Sequence, residues 1–123
     1  MSKRETDKLT AGELSFNKDG LIPVVVQDVD DREVLMVAWM NREALTHTLA
    51  TGEVTFFSRS RKCLWRKGEE SGNTLTAQAV RYDCDGDTLL ISAKMGGQAK
   101  ACHTGQRTCF YRELPLQGGV SDE

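Results

Sequence analysis

The sequence predicts an α+β fold, mainly antiparallel β-sheet with one or two helices. Three observations carry that prediction. Two valine-rich apolar runs, Ile22 to Gln27 and Val34 to Trp39, flank the turn-forming stretch Asp28 to Arg32, which is a hairpin pattern. A segment beginning at Asn41 bears the start and stop signals of a helix. Further short runs follow at Val54 to Phe57, Thr74 to Tyr82, Thr88 to Ala93 and Thr108 to Arg112, separated by polar or glycine-bearing stretches, as strands are.

The elements follow in order. Residues 1–19 form a polar arm of mixed charge, mobile or loosely docked. Residues 20–114 form the domain, opening with the hairpin. In the helix, Asn41 is suited to cap the N-terminus, Glu43 favours the positive end of the helix dipole, and Gly52 stands where a C-terminal cap is expected. Met40 and Leu45 occupy the two positions of a hydrophobic staple. Ser58 to Asn73 reads as a polar loop of about 16 residues, long enough in a small domain to suggest function. Gly96 and Gly97 mark a flexible connection, and 115–123 is a flexible C-terminal tail.

Composition narrows the classes. A chain of 123 residues is one domain by length. Its core is small enough that dimerisation would help it. With 28% charged residues, 39% hydrophobic residues and net charge −2, nothing biases the whole surface toward nucleic acid. No apolar run approaches the ~20 residues of a membrane span, and 1–19 lacks the apolar core of a signal peptide. The chain therefore reads as cytoplasmic, where four cysteines are better explained by metal binding or catalysis than by disulfides.

Two regions carry chemistry. Within 58–73, Arg59, Arg61, Lys62, Arg66 and Lys67 concentrate positive charge beside Ser60 and Ser71. Arginine forks and hydroxyls suit phosphate, and Trp65 can stack on a base or pack inward. The bland alternative is a solvated basic loop with a buried Trp. In the last third, Asp83, Asp85 and Asp87 alternate with Cys84, and Cys102-His103 and Cys109 follow. Thiolates suit zinc; carboxylates suit magnesium, calcium or manganese. Two metals, or one metal and a charged structural turn, both fit. If 83–87 is extended, the carboxylates share one face at about 6.6 Å spacing with Cys84 opposite, and Gly86 would have to bend the chain for them to converge. The alternation is not an EF-hand, because its sixth position is Thr88 and its twelfth Lys94. Beside a thiol, His103 is suited to proton transfer, to orienting a ligand, or to ligation itself. Cys63 reads as an incidental loop thiol and His47 as a surface residue of the helix.

The run Ser58-Arg59-Ser60-Arg61 … Leu64-Trp65-Arg66-Lys67-Gly68-Glu69 … Ser71-Gly72, then Asp83-Cys84-Asp85-Gly86-Asp87, then Ala101-Cys102-His103-Thr104-Gly105 … Cys109-Phe110-Tyr111-Arg112, resembles the phosphoribosyl-AMP cyclohydrolases of histidine biosynthesis. Leu35-Met36 … Ala38-Trp39-Met40-Asn41 fits the same family, so the resemblance runs from about Gly20 to Arg112. It implies hydrolytic opening of the N1–C6 bond of N1-(5-phosphoribosyl)-AMP by zinc-activated water. It implies zinc on Cys84, Cys102 and Cys109, magnesium on Asp83, Asp85 and Asp87, and acid–base work by His103. Substrate binding falls to Arg59, Ser60, Arg61, Trp65, Lys67, Glu69 and Ser71. It further implies an intertwined homodimer with each zinc site shared between subunits, and a chain limited to the cyclohydrolase step. A nucleobase deaminase does related chemistry, but its His-x-Glu and Pro-Cys-x-x-Cys signature does not occur here. The alternative from another class is a non-catalytic zinc module that binds nucleic acid through Arg59 to Lys67 and Trp65. Net charge −2 and the carboxylate trio oppose it, and the expected partner is a phosphorylated small molecule, with no nucleic acid or membrane.

Overall fold

A computed structural model describes residues 9–117. Parts of the arm (1–8) and of the tail (118–123) lie outside the described residues. Strands β1 (Ile22–Asp28) and β2 (Val34–Met40) are followed by helix α1 (Arg42–Thr51) and then by β3 (Thr55–Ser58), β4 (Cys63–Arg66), β5 (Leu75–Tyr82) and β6 (Leu89–Met95). Four strands form one sheet in the order β2-β1-β6-β5, while β3 and β4 pair separately. Only β1 and β6 run parallel; the other neighbours are antiparallel.

β1 is central because its alternation suits a sheet with one deeply buried face. Ile22, Val24, Val26 and Asp28 are buried, and Pro23, Val25 and Gln27 are half-buried on the other face. Its ladder with β2 slips between Val26, opposite Met36, and Gln27, opposite Val34. Leu35 is thus left without a partner in that ladder, a β-bulge. Leu35 and Met36 are consequently both buried.

α1 follows from its end signals. The Asn41 side-chain oxygen accepts the Ala44 N–H at 2.8 Å, and the Gly52 N–H donates to the Thr48 carbonyl at 2.8 Å. The helix buries Ala44, Leu45 and Thr48, and the Thr48 hydroxyl accepts the Thr55 N–H at 3.0 Å, joining helix to β3. Phe56, Met40, Leu45 and Val54 continue the core set by β1 and β6, and each of these four is at most 2% exposed.

Two expectations are corrected. Ser58 to Asn73 is not a continuous loop: Cys63–Arg66 forms β4, paired with β3 from Thr55↔Arg66 to Ser58↔Cys63. The Phe56 and Trp65 rings, opposite one another with centroids 5.1 Å apart, bring the charged stretch onto the core, and tertiary packing overrides its polar composition. Conversely, Thr108 to Arg112 forms no strand. The Thr108 hydroxyl takes the Val34 carbonyl at 2.7 Å, and one backbone bond, Cys109 N–H to Leu35 O at 2.8 Å, follows. A side chain in place of a main-chain donor ends the ladder after one rung. Residues 9–17 run against the far end of the sheet. Leu14 is buried, and the Ser15 N–H donates to the Gly86 carbonyl at 2.8 Å. Among the described residues no helix is long and apolar enough to cross a membrane.

The cap is open to a direct check. Asn41→Ala is expected to lower the unfolding free energy by about 1 kcal/mol, whereas Asn41→Asp, which keeps the acceptor, should stay within a few tenths of the parent. Urea titration of both variants measures the difference; equal losses would show that the side-chain oxygen is not the cap.

Candidate active site

The thiols stand on an irregular segment whose shape is set by its own backbone. Ala101 N–H donates to Arg107 O at 3.0 Å, Cys102 N–H to Gln106 O at 3.1 Å, and Gly105 N–H to Cys102 O at 3.0 Å. Cys102 is buried in this narrow loop, 3.0 Å from the Thr104 hydroxyl. Hydrogen bonds from the Thr104 side chain and backbone hold the Cys102 thiol below its ordinary pKa. Its neighbour Cys109 is pushed up, first by loss of solvent on its protein-facing side and then by Cys102. The second thiolate is harder to form beside the first, a situation that a cation between them would relieve.

The β3–β4 hairpin supplies a cation to this pair. Lys67 donates from Nζ to the Ala101 carbonyl at 2.6 Å, directly before Cys102. Burial lowers the Lys67 pKa, and the charge of the Cys109 and Cys102 thiols acts in the opposite sense. Beyond Lys67 the chain turns tightly. The Glu69 carboxylate accepts the Arg66 N–H at 3.0 Å, and the Asn73 side chain accepts the Gln98 N–H at 2.8 Å, tying this turn to the one after β6. At Gly68, φ is +85°, and an added Cβ would lie 2.6 Å from backbone atoms of Asn73 and Thr74.

These elements enclose a cleft of about 230 Å³ whose walls include Arg61, Trp65, Lys67, Glu69, Ser71 and His103. Five of the seven residues expected to bind substrate are thus brought together with the expected acid–base residue. Trp65 lines the cleft and also packs on Phe56. Arg59 and Ser60 stand elsewhere. The Arg59 guanidinium lies 4.8 Å above the Trp39 ring, in a separate depression with Leu21, Phe57 and Lys62. The Ser60 hydroxyl is 3.4 Å from that of Ser58. The hairpin turn separates Arg61 from Arg59 and Lys62, which adjacency in sequence could not indicate. His47 is exposed on α1, 3.5 Å from Glu53.

The carboxylates converge through a turn that includes Gly86, at φ +71°. Residues 83–87 are not extended; they form the turn between β5 and β6. Gly86 N–H donates to Asp83 O at 3.0 Å, while Asp83 Oδ1 accepts the N–H groups of Asp87 at 3.0 Å and Thr88 at 3.3 Å. One ligand oxygen from each of Asp83, Asp85 and Asp87 lies within 4.8 Å of the others, and all three residues are exposed. Hydrogen bonding with Asp85, then Asp83, raises the Asp87 pKa. Among the described residues this is the only such group of three or more His, Cys, Asp or Glu side chains. Cys84, exposed in the same turn, therefore does not join Cys102 and Cys109 in a cluster within one chain. Thr104 and Arg107 were not singled out from sequence. Arg107 had no signal beyond its place between two cysteines, and Thr104 entered only within the family motif Ala101 to Gly105.

The chain is similar in sequence to known proteins. The sequence profile of a family described as phosphoribosyl-AMP cyclohydrolase matches residues 36–111. The chain is 51% identical over 114 residues to a phosphoribosyl-AMP cyclohydrolase of Bordetella petrii, covering 93% of this chain and 84% of that protein. Similar proteins of the same name come from Nitrosomonas eutropha, at 54% identity over 82% of this chain and 78% of the relative, and from Halorhodospira halophila, at 56% over 82% and 70%.

The turn that closes the cleft predicts a contrast between two glycines. Gly68→Ala meets backbone at 2.6 Å as well as a left-handed φ, whereas Gly72→Ala, at φ +81°, has no atom within 4 Å of its added Cβ. Gly72→Ala should cost about 1 kcal/mol of unfolding free energy from backbone strain, and Gly68→Ala should cost more, up to about 3 kcal/mol. Chemical denaturation of the pair tests this; equal costs would show that the turn moves freely.

Proposed function

Belonging to the phosphoribosyl-AMP cyclohydrolase family, the chain hydrolyses the N1–C6 bond of N1-(5-phosphoribosyl)-AMP in histidine biosynthesis, and we propose that its thiols, His103, cleft residues and carboxylate turn divide that work. The observation that carries this reading is the cleft, where His103 faces the cations of the β3–β4 hairpin and stands one residue from Cys102.

Cys102 and Cys109 fit zinc by the chemistry of the donors: two neighbouring soft thiols, a hydroxyl directed at one sulfur, and an ammonium nearby. Cys84 of a second subunit would complete the set, which makes a homodimer the working unit. When bound, zinc supplies the Lewis acidity that makes water a nucleophile at neutral pH, lowering its pKa toward ~7. Substitution at N1 leaves the purine ring electron-poor, so C6 is an electrophile. The water oxygen bonds to C6, the C6–N1 bond breaks with its electron pair passing to N1, and C6 becomes the carbon of a carboxamide. Water's two protons end on the exocyclic nitrogen, which becomes the amide NH2, and on N1, and His103 is the group in the cleft suited to carry the one that reaches N1. Arg61 and Lys67 bind phosphate by charge, with the Ser71 hydroxyl beside them. The Asp83, Asp85 and Asp87 oxygens suit a hard divalent ion, with magnesium as our assignment, and that ion would anchor a substrate phosphate. The four free cysteines accord with a cytoplasmic location. With a nucleotide as substrate, the cationic hairpin has a role that replaces the nucleic-acid-binding alternative.

The decisive measurement is a spectrophotometric assay with phosphoribosyl-AMP, with and without a zinc chelator. Cys84→Ser, Cys102→Ser and Cys109→Ser should each lose zinc and nearly all activity, because a hydroxyl replaces thiolate poorly on zinc, while Cys63→Ser should be nearly silent. If the site spans two subunits, mixing Cys84→Ser with Cys102→Ser protein should restore part of the activity, since one site of each heterodimer draws only on intact cysteines. Full zinc in all the variants would remove the ligand assignment, and no recovery after verified subunit exchange would place the ligands in one chain.

A separate requirement is expected of the carboxylates. Asp85→Asn should weaken magnesium binding, with zinc content near that of the parent and part of the rate recovered by added magnesium. If the variant lost zinc as readily as Cys84→Ser and magnesium had no effect, the acids would belong to the zinc centre.

A further inference from the structure

Arg107 lies between the two neighbouring thiols in sequence, and its side chain leaves the site. Its guanidinium reaches three carboxylates of the β1–β2 turn: Asp28 at 3.5 Å, Asp31 at 3.3 Å, and Glu33 in a direct hydrogen bond. An isolated exposed ion pair contributes little, but this is a network, and its central acid is not exposed. The Asp28 side chain is 6% exposed, and its Oδ2 accepts the N–H groups of Asp30 and Asp31, both at 2.9 Å. These amides, with the Arg107 charge, hold Asp28 below the ordinary carboxylate pKa despite its burial. The acceptor side is therefore organised before the arginine arrives.

The backbone of the same residue closes the Cys102 loop, because Arg107 O accepts the Ala101 N–H. The next two residues fasten to the edge of β2, through the Thr108 hydroxyl to Val34 O and the Cys109 N–H to Leu35 O. Cys102 is thus placed by a loop whose base is Arg107, and Cys109 by an attachment two residues further on. Release of the guanidinium would leave Thr108 and Cys109 as the attachments of the segment to that strand.

We propose that Arg107, held by Asp28, Asp31 and Glu33, is a positioning residue that sets the separation and orientation of the Cys102 and Cys109 thiols for metal binding. The proposal rests on the zinc reading of those thiols. Groups that orient metal ligands typically change affinity by 10–100-fold when removed.

The test uses the full-length chain with Arg107→Met, Arg107→Lys and Asp28→Asn, and with Lys94→Met as control. Lys94 pairs with exposed Asp30 in the same turn at 3.1 Å but touches neither thiol nor Arg107. Zinc affinity is measured by competition with a chromophoric chelator, and hydrogen exchange is followed at the amides of Ala101, Cys102 and Cys109. Arg107→Met should bind zinc 10–100-fold more weakly and exchange these amides faster, with β1 and β6 still protected. Arg107→Lys should recover part of the affinity, Asp28→Asn should shift it in the same direction as Arg107→Met, and Lys94→Met should match the parent. Unchanged exchange in Arg107→Met would overturn the clamp. Faster exchange with unchanged zinc affinity would overturn the positioning role and leave a structural one. A parent protein that binds no zinc would remove the zinc reading itself, and the role proposed for Arg107 with it.

Discussion

The carbonyl groups of Val34 and Leu35, at the outer edge of the four-stranded sheet, are the constraint on which the site depends. An edge strand presents backbone groups that need partners. Here they are taken by the Thr108 hydroxyl and the Cys109 amide. The bulge that leaves Leu35 out of the β1–β2 ladder helps to make one of them available. An irregular segment with no helix or strand of its own is thereby held to the most ordered part of the molecule. A thiol donor on that segment inherits its position from the sheet.

The cleft joins this anchored segment to a second piece of structure that the sheet does not contain. β3 and β4 stand apart from the four-stranded sheet, and the Phe56–Trp65 contact seats their hairpin on the common core. From there Lys67 crosses to the Ala101 carbonyl. That bond partly desolvates an ammonium, which is unfavourable by itself. The two thiols beside it provide the offsetting charge once ionised. The same ammonium therefore touches both the thiol-bearing loop and the cleft.

At the other end of the sheet, the carboxylate turn depends on different bonds. Asp83 Oδ1 is used inside the turn, accepting two backbone N–H groups, so the turn draws the acids together before any ion is considered. The Ser15–Gly86 backbone bond and buried Leu14 place part of the N-terminal segment against it. This gives residues 9–17 a structural part in shaping that corner.

Local chemistry made much of this protein legible. The Asn41 and Gly52 caps, the valine alternation of β1, the β1–β2 hairpin and the family motifs around Cys84, Cys102 and Cys109 are all properties of neighbouring residues, and short-range rules read them. β4 was hidden because its composition is that of a charged loop, and pairing with β3, with Trp65 opposite Phe56, makes a strand of it. Thr108 to Arg112 has the composition of a strand, yet a hydroxyl took the carbonyl that a ladder would have needed. Asp83, Asp85 and Asp87 alternate as strand residues do, but Asp83 folds the chain back on itself. The division of Arg59 and Arg61 between two depressions, the approach of Lys67 to the thiols, and the reach of Arg107 to Asp28, Asp31 and Glu33 had no local signal. The sequence by itself determined which residue types were present, thiols, carboxylates, cations and a histidine, together with the strand and helix propensities that carry them. Which of those residues meet was decided by tertiary structure, because the contacts that build the cleft span long stretches of chain and form only when the core closes.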